Sequence, residues 1–358
     1  MSEAATGGLL SFFTRTPLAL WAHVLRKPHD DSEAATAWAI FQFNWGVMAG
    51  LWLLFGLCLI LTDFRVEPIG YLIVLSTSAL YGYIGYLNAR SAQRAKPWIF
   101  SLLTGIAQTT LASIVLASLS YVATAANLPL QDANLLALDR ALGFDFREYL
   151  SFANDRPWLV MILAFGYRAI SLTACIIIVA LPLFGHYRRL AEFNLAISLA
   201  LALTCGITLL IPAVGVYHVL GLLPSDYPNI VPQAFYDSAR DMLLVRDGTL
   251  RLLDTNHLAG IVTFPSFHAA AAVLDGWALW SFRWLRPFNV MIHGAMLLST
   301  PIGGGHFLVD MIAGISIAIL SILVARLVAL RLRERDGRFA AQSHCIPAAR
   351  EAWVTAHR

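Results

Sequence analysis

Two short segments hold most of the residues that could do chemistry. The first reads Gly260-Ile-Val-Thr-Phe264-Pro265-Ser266-Phe267-His268, and the second Ser299-Thr300-Pro301-Ile302-Gly303-Gly304-Gly305-His306-Phe307-Leu308-Val309-Asp310. His306 and Asp310 are four positions apart, so on a helix they share one face. A carboxylate that accepts a proton from one imidazole nitrogen selects the tautomer and leaves the other nitrogen as a nucleophile. His268 is then free to protonate a leaving oxygen and later to take a proton from water or an alcohol. Ser266 offers a hydroxyl and a backbone N–H to an anion, or a cap to the helix that follows it. Gly304 and Gly305, with Gly303 before them, let backbone approach a phosphate closely, and a helix N-terminus favours the same charge. The plainer use of these glycines is close helix packing. Together the set describes phosphoryl transfer through a phosphohistidine, with neither a metal nor a cofactor required.

The elements that position these residues must be membrane helices. The chain has 358 residues, 58% apolar and only 13% charged, with mean hydropathy +0.66. A soluble domain is nearer a quarter charged, and no single water-soluble core hides this much apolar surface. The same figures exclude disorder and a coiled coil, and four Cys in this length exclude a disulfide-stapled scaffold. With 25 Lys and Arg against 22 Asp and Glu there is no concentrated basic face, so nucleic acid is not a partner. Apolar runs occur at roughly 37–62, 68–88, 98–126, 157–184, 190–213, 260–281, 287–304 and 306–330, each near the ~20 residues a span needs. The expected fold is all-α, a polytopic integral membrane bundle of about eight spans. Residues 1–36 form an N-terminal segment, 37–331 the catalytic region and 332–358 a tail. Within the first segment, 9–22 reads as an interfacial helix or a failed signal peptide.

Basic residues set the orientation. One set of connections carries Arg90, Arg94 and Lys96, then Arg188 and Arg189, Arg283 and Arg286, and Arg331 to Arg338, while the alternate set is rich in acids. This predicts cytoplasmic termini and long outer connections at about 127–156 and 214–259. Both motifs then lie at the outer ends of spans six to eight. The outer stretch Leu138 to Phe146 alternates apolar and charged residues, which suits either a short interfacial helix or a plain connector.

Phe264-Pro265-Ser266-Phe267-His268 resembles the Pro-Ser-x-His motif of the type 2 phosphatidic acid phosphatase superfamily, and Ser299 to Asp310 resembles that family's last motif. The resemblance implies a six-helix core preceded here by extra N-terminal helices. It also implies His306 as nucleophile, Asp310 as its orienting partner and His268 as acid and base. The match covers roughly 260–315. Two departures stand out: Thr300 occupies the position where the family has Arg, and the family's first motif, Lys-x6-Arg-Pro, is absent. A Ser-Thr-x5-His-x3-Asp pattern with a Gly-rich approach is similar to the inositol phosphorylceramide synthase branch, which transfers a phosphoinositol head group between lipids.

A transferring phosphoryl group needs cationic stabilisation, so the missing family cations need replacement. Arg246 and Arg251, just upstream of the first segment, are candidates for the phosphate clamp, since Arg suits bidentate phosphate contact. Arg168, about eleven residues into the fourth span, and Asp275, seven after His268, form a second candidate set with His293. Arg168 and Asp275 either pair within the bundle or leave Arg168 to reach the substrate. The expected activity is on a membrane lipid at the extracytoplasmic leaflet, with water, a lipid or a polyol as acceptor. Release to water makes a lipid phosphatase and release to an alcohol a head-group transferase. A transporter is the alternative of another class, and the absence of an inverted repeat speaks against it.

Overall fold

The computed structural model describes residues 31–91 and 96–356. Eight helices match the eight apolar runs: α1 (Asp31–Leu61), α2 (Pro68–Arg90), α3 (Pro97–Ala125), α6 (Pro157–Leu183), α7 (Tyr187–Leu210), α10 (Phe267–Leu279), α11 (Arg286–Gly304) and α12 (Leu308–Ala356). Between them lie α4 (Asp132–Ala141), α5 (Phe146–Asn154), α8 (Val216–Val219) and α9 (Gln233–Arg246), with strands β1 (Arg65–Val66) and β2 (Leu252–Leu253). Six of the eight are long and apolar enough to cross a bilayer, the last of them over Leu308–Glu334. The chain is thus an all-α polytopic bundle. The other two are α11, of nineteen residues, and α10, whose thirteen residues rise only ~20 Å against a hydrocarbon core of ~30 Å. The part of the sixth apolar run before Ser266 is irregular chain, and it carries the first motif. The 9–22 segment lies outside the described residues.

Helix α7 is the central post, buried without a break from Tyr187's neighbours Leu190 to Ser198. Lipid-facing residues of the outer helices stay apolar: Leu53, Ile60, Ile69 and Met161 are 66–80% exposed. Lipid and Leu side chains are equally apolar, so the hydrophobic effect alone cannot fix the register of such helices. Buried amides supply it. Asn44 donates to Gln108 at 2.9 Å, Gln108 donates to the Phe41 carbonyl at 2.8 Å, and Asn194 donates to the Gly105 carbonyl at 3.0 Å. These bonds join α1, α3 and α7.

The long connections gather at one end of the bundle and are tied together there. Strands β1 and β2 pair in parallel, Arg65 with Leu252 and Val66 with Leu253. Helix α9 is moored to α3 by the Tyr121 hydroxyl, which donates to Asp241 Oδ2 at 2.8 Å. Helix α4 settles the two readings of the 138–146 stretch differently from either: it is a strut. Its Asp132 accepts from the Val214 and Gly215 amides at 3.1 and 2.7 Å, and its Asp139 accepts from the Leu308 and Val309 amides at 2.8 and 3.0 Å. Both acids are buried, because they are spent on backbone donors and not on solvent.

Candidate active site

Ser266 is the N-cap of α10, its Oγ accepting from the Ala269 amide at 3.3 Å, and the residue is fully buried. Its own amide donates to the Asp310 carbonyl at 3.0 Å, which locks the two motifs together through backbone. The preceding Phe264–Pro265 bond is cis. Two hydroxyls hold this turn: Thr208 donates to the Phe264 carbonyl at 2.8 Å and Thr263 to the Val214 carbonyl at 3.2 Å. The Thr263 carbonyl then points at the second motif.

That carbonyl is the closest partner of His306. Nδ1 lies 2.9 Å from the Thr263 oxygen and 3.4 Å from Asp310 Oδ2. Both are acceptors, so Nδ1 carries the proton and Nε2 keeps its lone pair. Asp310 is fully buried and accepts from the Phe307 amide at 2.9 Å through the same Oδ2. The helix start expected to cradle a phosphate is therefore occupied. The first amides of α12 go to carboxylates: Phe307 to Asp310, and Leu308 and Val309 to Asp139.

The glycine run divides its tasks. Gly305 closes α11 in the left-handed region at φ 65°, and a Cβ there would press into Phe235 and Tyr217. It serves the turn, buried under aromatic rings, and cannot also cradle a phosphate. Gly304 is different. A Cβ on it would stand 2.8 Å from His306 Nε2 and 2.9 Å from the Tyr167 hydroxyl oxygen. Only a glycine here lets the free His306 nitrogen and the Tyr167 hydroxyl close onto the α11 backbone, since any side chain would collide with both. Tyr167 also stacks on His268, ring centroids 4.0 Å apart and 11° from parallel. Its hydroxyl makes no hydrogen bond among the described residues. The ring reaches this position because Gly166 lets α6 touch the Ala295 backbone of α11.

The candidate cations separate. Arg251 is bound to Asp63 at 2.9 Å, donates to the Val245 and Leu250 carbonyls, and lies over the Phe64 ring. Arg246 donates to the Leu128 carbonyl at 3.0 Å. Both guanidinium groups tie the long connections, although Arg246 Nη1 stays buried without a partner, and neither lines the cavities that hold His268 and Tyr167 among the described residues. Arg168 is exposed, with neither an ion pair nor a hydrogen bond among the described residues. It lines a cavity of about 310 Å³ with Tyr167, Asp237, Ser299 and Gly303. The expected Arg168–Asp275 pair does not form: Asp275 Oδ2 accepts from the Thr173 hydroxyl at 2.6 Å, a helical turn away from Arg168. His293 is held by the Asn289 carbonyl at 2.9 Å, its ring packed near Gly276.

Residues 133–324 match the PAP2 superfamily, more than half of the chain and both motifs with it. The chain belongs to the PAP2 superfamily. No curated protein and no solved structure gives a significant match. Membership in the PAP2 superfamily makes this a membrane enzyme of the lipid phosphatase and phosphotransferase kind. The match begins inside α4, so the PAP2 region starts at the strut that carries Asp139. Reasoning from motifs overlooked three residues of this PAP2 site. Thr263 acts through a main-chain oxygen, which no side-chain pattern announces. Asp139 stood in an ordinary amphipathic stretch. Tyr167 adjoins Arg168, and a Tyr-Arg pair inside an apolar span was the available signal.

Proposed function

We propose that the protein transfers a phosphorylated head group from a membrane lipid to an alcohol through a phosphohistidine on His306, in the manner of the inositol phosphorylceramide synthase branch. The observation that carries it is the His306 ring: Nδ1 is committed to the Thr263 carbonyl and Asp310, while Nε2 makes no hydrogen bond among the described residues and lies over Gly304 beside the Tyr167 hydroxyl. His306 attacks phosphorus, the bond to the lipid oxygen breaks, and His268 donates its proton to that oxygen. In the second half His268 takes a proton from the acceptor and the P–N bond breaks. Asp310 balances the imidazolium character that develops on His306. Gly304 lets the reacting nitrogen close onto the α11 backbone, and Ser266 holds His268 in place as the cap of its helix.

The cation on the phosphate is Arg168. Thr300, where an Arg is usual, turns its hydroxyl back to the Met296 carbonyl at 2.8 Å and is fully buried. Arg168 reaches the same neighbourhood from the adjacent helix, beside Ser299 and Gly303. The reading places the site at the extracytoplasmic leaflet with both termini cytoplasmic, supported by the distribution of Lys and Arg.

The test is a phospholipid panel with the purified full chain, products read by mass spectrometry and covalent phosphate trapped on the protein. His306→Ala abolishes turnover and trapping, and His268→Ala lowers turnover by about 10²–10⁴-fold. Equal behaviour of wild type and His306→Ala overturns the proposal.

A further inference from the structure

A second cavity, about 390 Å³, lies among α3, α6, α7 and α10. His268 lines one end of it and Asp275 the other. The two residues are seven apart on α10, a rise of ~10 Å. Tyr167 belongs to the Arg168 cavity and His268 to this one, so the stacked rings form the partition between them. The two compartments differ in charge. Arg168 lines the first, whereas neither Lys nor Arg lines the second.

The second cavity also holds polar atoms without partners. Asp275 is 1% exposed and its Oδ1 is unbonded; Thr204, also 1% exposed and lining the cavity, has an unbonded Oγ1. Inside a bundle surrounded by lipid such atoms are costly and are normally satisfied by protein, water or ligand. Ser113 and Ser171 add hydroxyls to the wall, and Leu201 and Ile197 add apolar surface. An anionic phosphate does not fit beside Asp275. A molecule that donates hydrogen bonds does.

We propose that this cavity is the acceptor compartment. It takes an uncharged alcohol whose reacting hydroxyl reaches His268 and whose second polar group, about 10 Å deeper, meets Asp275, with the Thr204 hydroxyl on the cavity wall. This rests on the phosphohistidine reading above. In the transfer step the acceptor O–H proton passes to His268, the acceptor oxygen forms the new bond to phosphorus, and the P–N bond breaks with its electron pair returning to His306 Nε2. The Tyr167–His268 partition keeps the phosphate on the Arg168 side while His268 serves both compartments.

The test uses the full chain in lipid nanodiscs with a donor from the phospholipid panel and two probe acceptors, 1-octanol and 1,8-octanediol. The diol places its second hydroxyl at the required depth. The wild type transfers to the diol about fivefold or more in preference to octanol. Asp275→Leu brings that preference close to one. Should Asp275→Leu fail to fold, Asp275→Asn, whose one oxygen is kept by Thr173, removes the free carboxylate oxygen and still decides. A wild type that releases phosphate only to water, or shows no preference for the diol, overturns the acceptor assignment and leaves the phosphohistidine intact. A preference unchanged in Asp275→Asn also overturns it. Turnover that survives His306→Ala overturns instead the reading beneath it.

Discussion

At the scale of single residues, the site is defined by which polar atoms are already taken. Ser266 and Gly305 sit in the two motifs, yet cap and turn geometry use them up. Arg246 and Arg251 are likewise bound to carbonyls and to Asp63. Among the groups left without a partner are His306 Nε2, the Tyr167 hydroxyl and the Arg168 guanidinium: the first two close over Gly304, and the third lines the adjoining cavity with Tyr167. Three predictions belong here. Arg168→Ala lowers kcat/KM by about 10–100-fold, the usual worth of a hydrogen bond to a charged group, and Arg168→Lys recovers part of it. Arg251→Ala, in a steady-state comparison, leaves kcat/KM near the wild-type value. Gly304→Ala puts a methyl group 2.6 Å from the His306 ring and 2.9 Å from the Tyr167 hydroxyl, so one of the two rings must move and most activity is lost. A Gly304→Ala enzyme at full activity contradicts the placing of the reacting nitrogen over Gly304.

At the scale of elements, the last span is positioned by a carboxylate from a distant helix. Asp139 of α4 receives the two amides that open α12, and α12 carries Asp310 two residues later. Burial holds the Asp139 carboxyl above its ordinary range, with the two amide bonds opposing that rise only in part. The sign follows. A folded pKa above the unfolded value means that the folded state binds the proton more tightly, so Asp139 contributes a loss of stability as pH rises from the unfolded value through the folded one. Asp139→Asn removes that pH-dependent step. It also leaves one of the two amides facing an NH2 group, at a cost of about 1–3 kcal/mol. Thermal unfolding in detergent between pH 4 and 7 measures both. A variant with the wild-type midpoint and pH slope would show that α12 does not depend on this cap. The alternation over 138–146 suited an interfacial helix or a connector alike; that Asp139 turns inward depends on amides 170 residues away, which no local pattern encodes.

At the scale of the whole molecule, the long connections form one tied assembly at one end of the bundle, and the site lies beneath it. The orientation proposed from the distribution of Lys and Arg puts that end outside the cytoplasm. A green fluorescent protein fused after Arg358 is therefore fluorescent in bacterial membranes, and alkaline phosphatase at the same position is inactive; the reverse pattern inverts the topology. Composition alone determined that the chain lives in a bilayer, since 13% charged residues cannot clothe a soluble domain. Hydropathy located eight helices, though the sixth run begins seven residues before α10 and the last helix continues to Ala356, past the run's end at 330, and the spacing of His268, His306 and Asp310 pointed to phosphoryl transfer. These are local properties, legible in one stretch at a time. Tertiary structure decided the rest: which Arg remains free, that a main-chain oxygen of Thr263 holds His306, that Tyr167 stands between two compartments, and that Asp275 turns to Thr173. Each of these depends on helix rotation and on the approach of residues far apart in the chain. In lipid, packing and buried hydrogen bonds set that rotation, because an apolar solvent leaves hydropathy unable to choose which face turns inward.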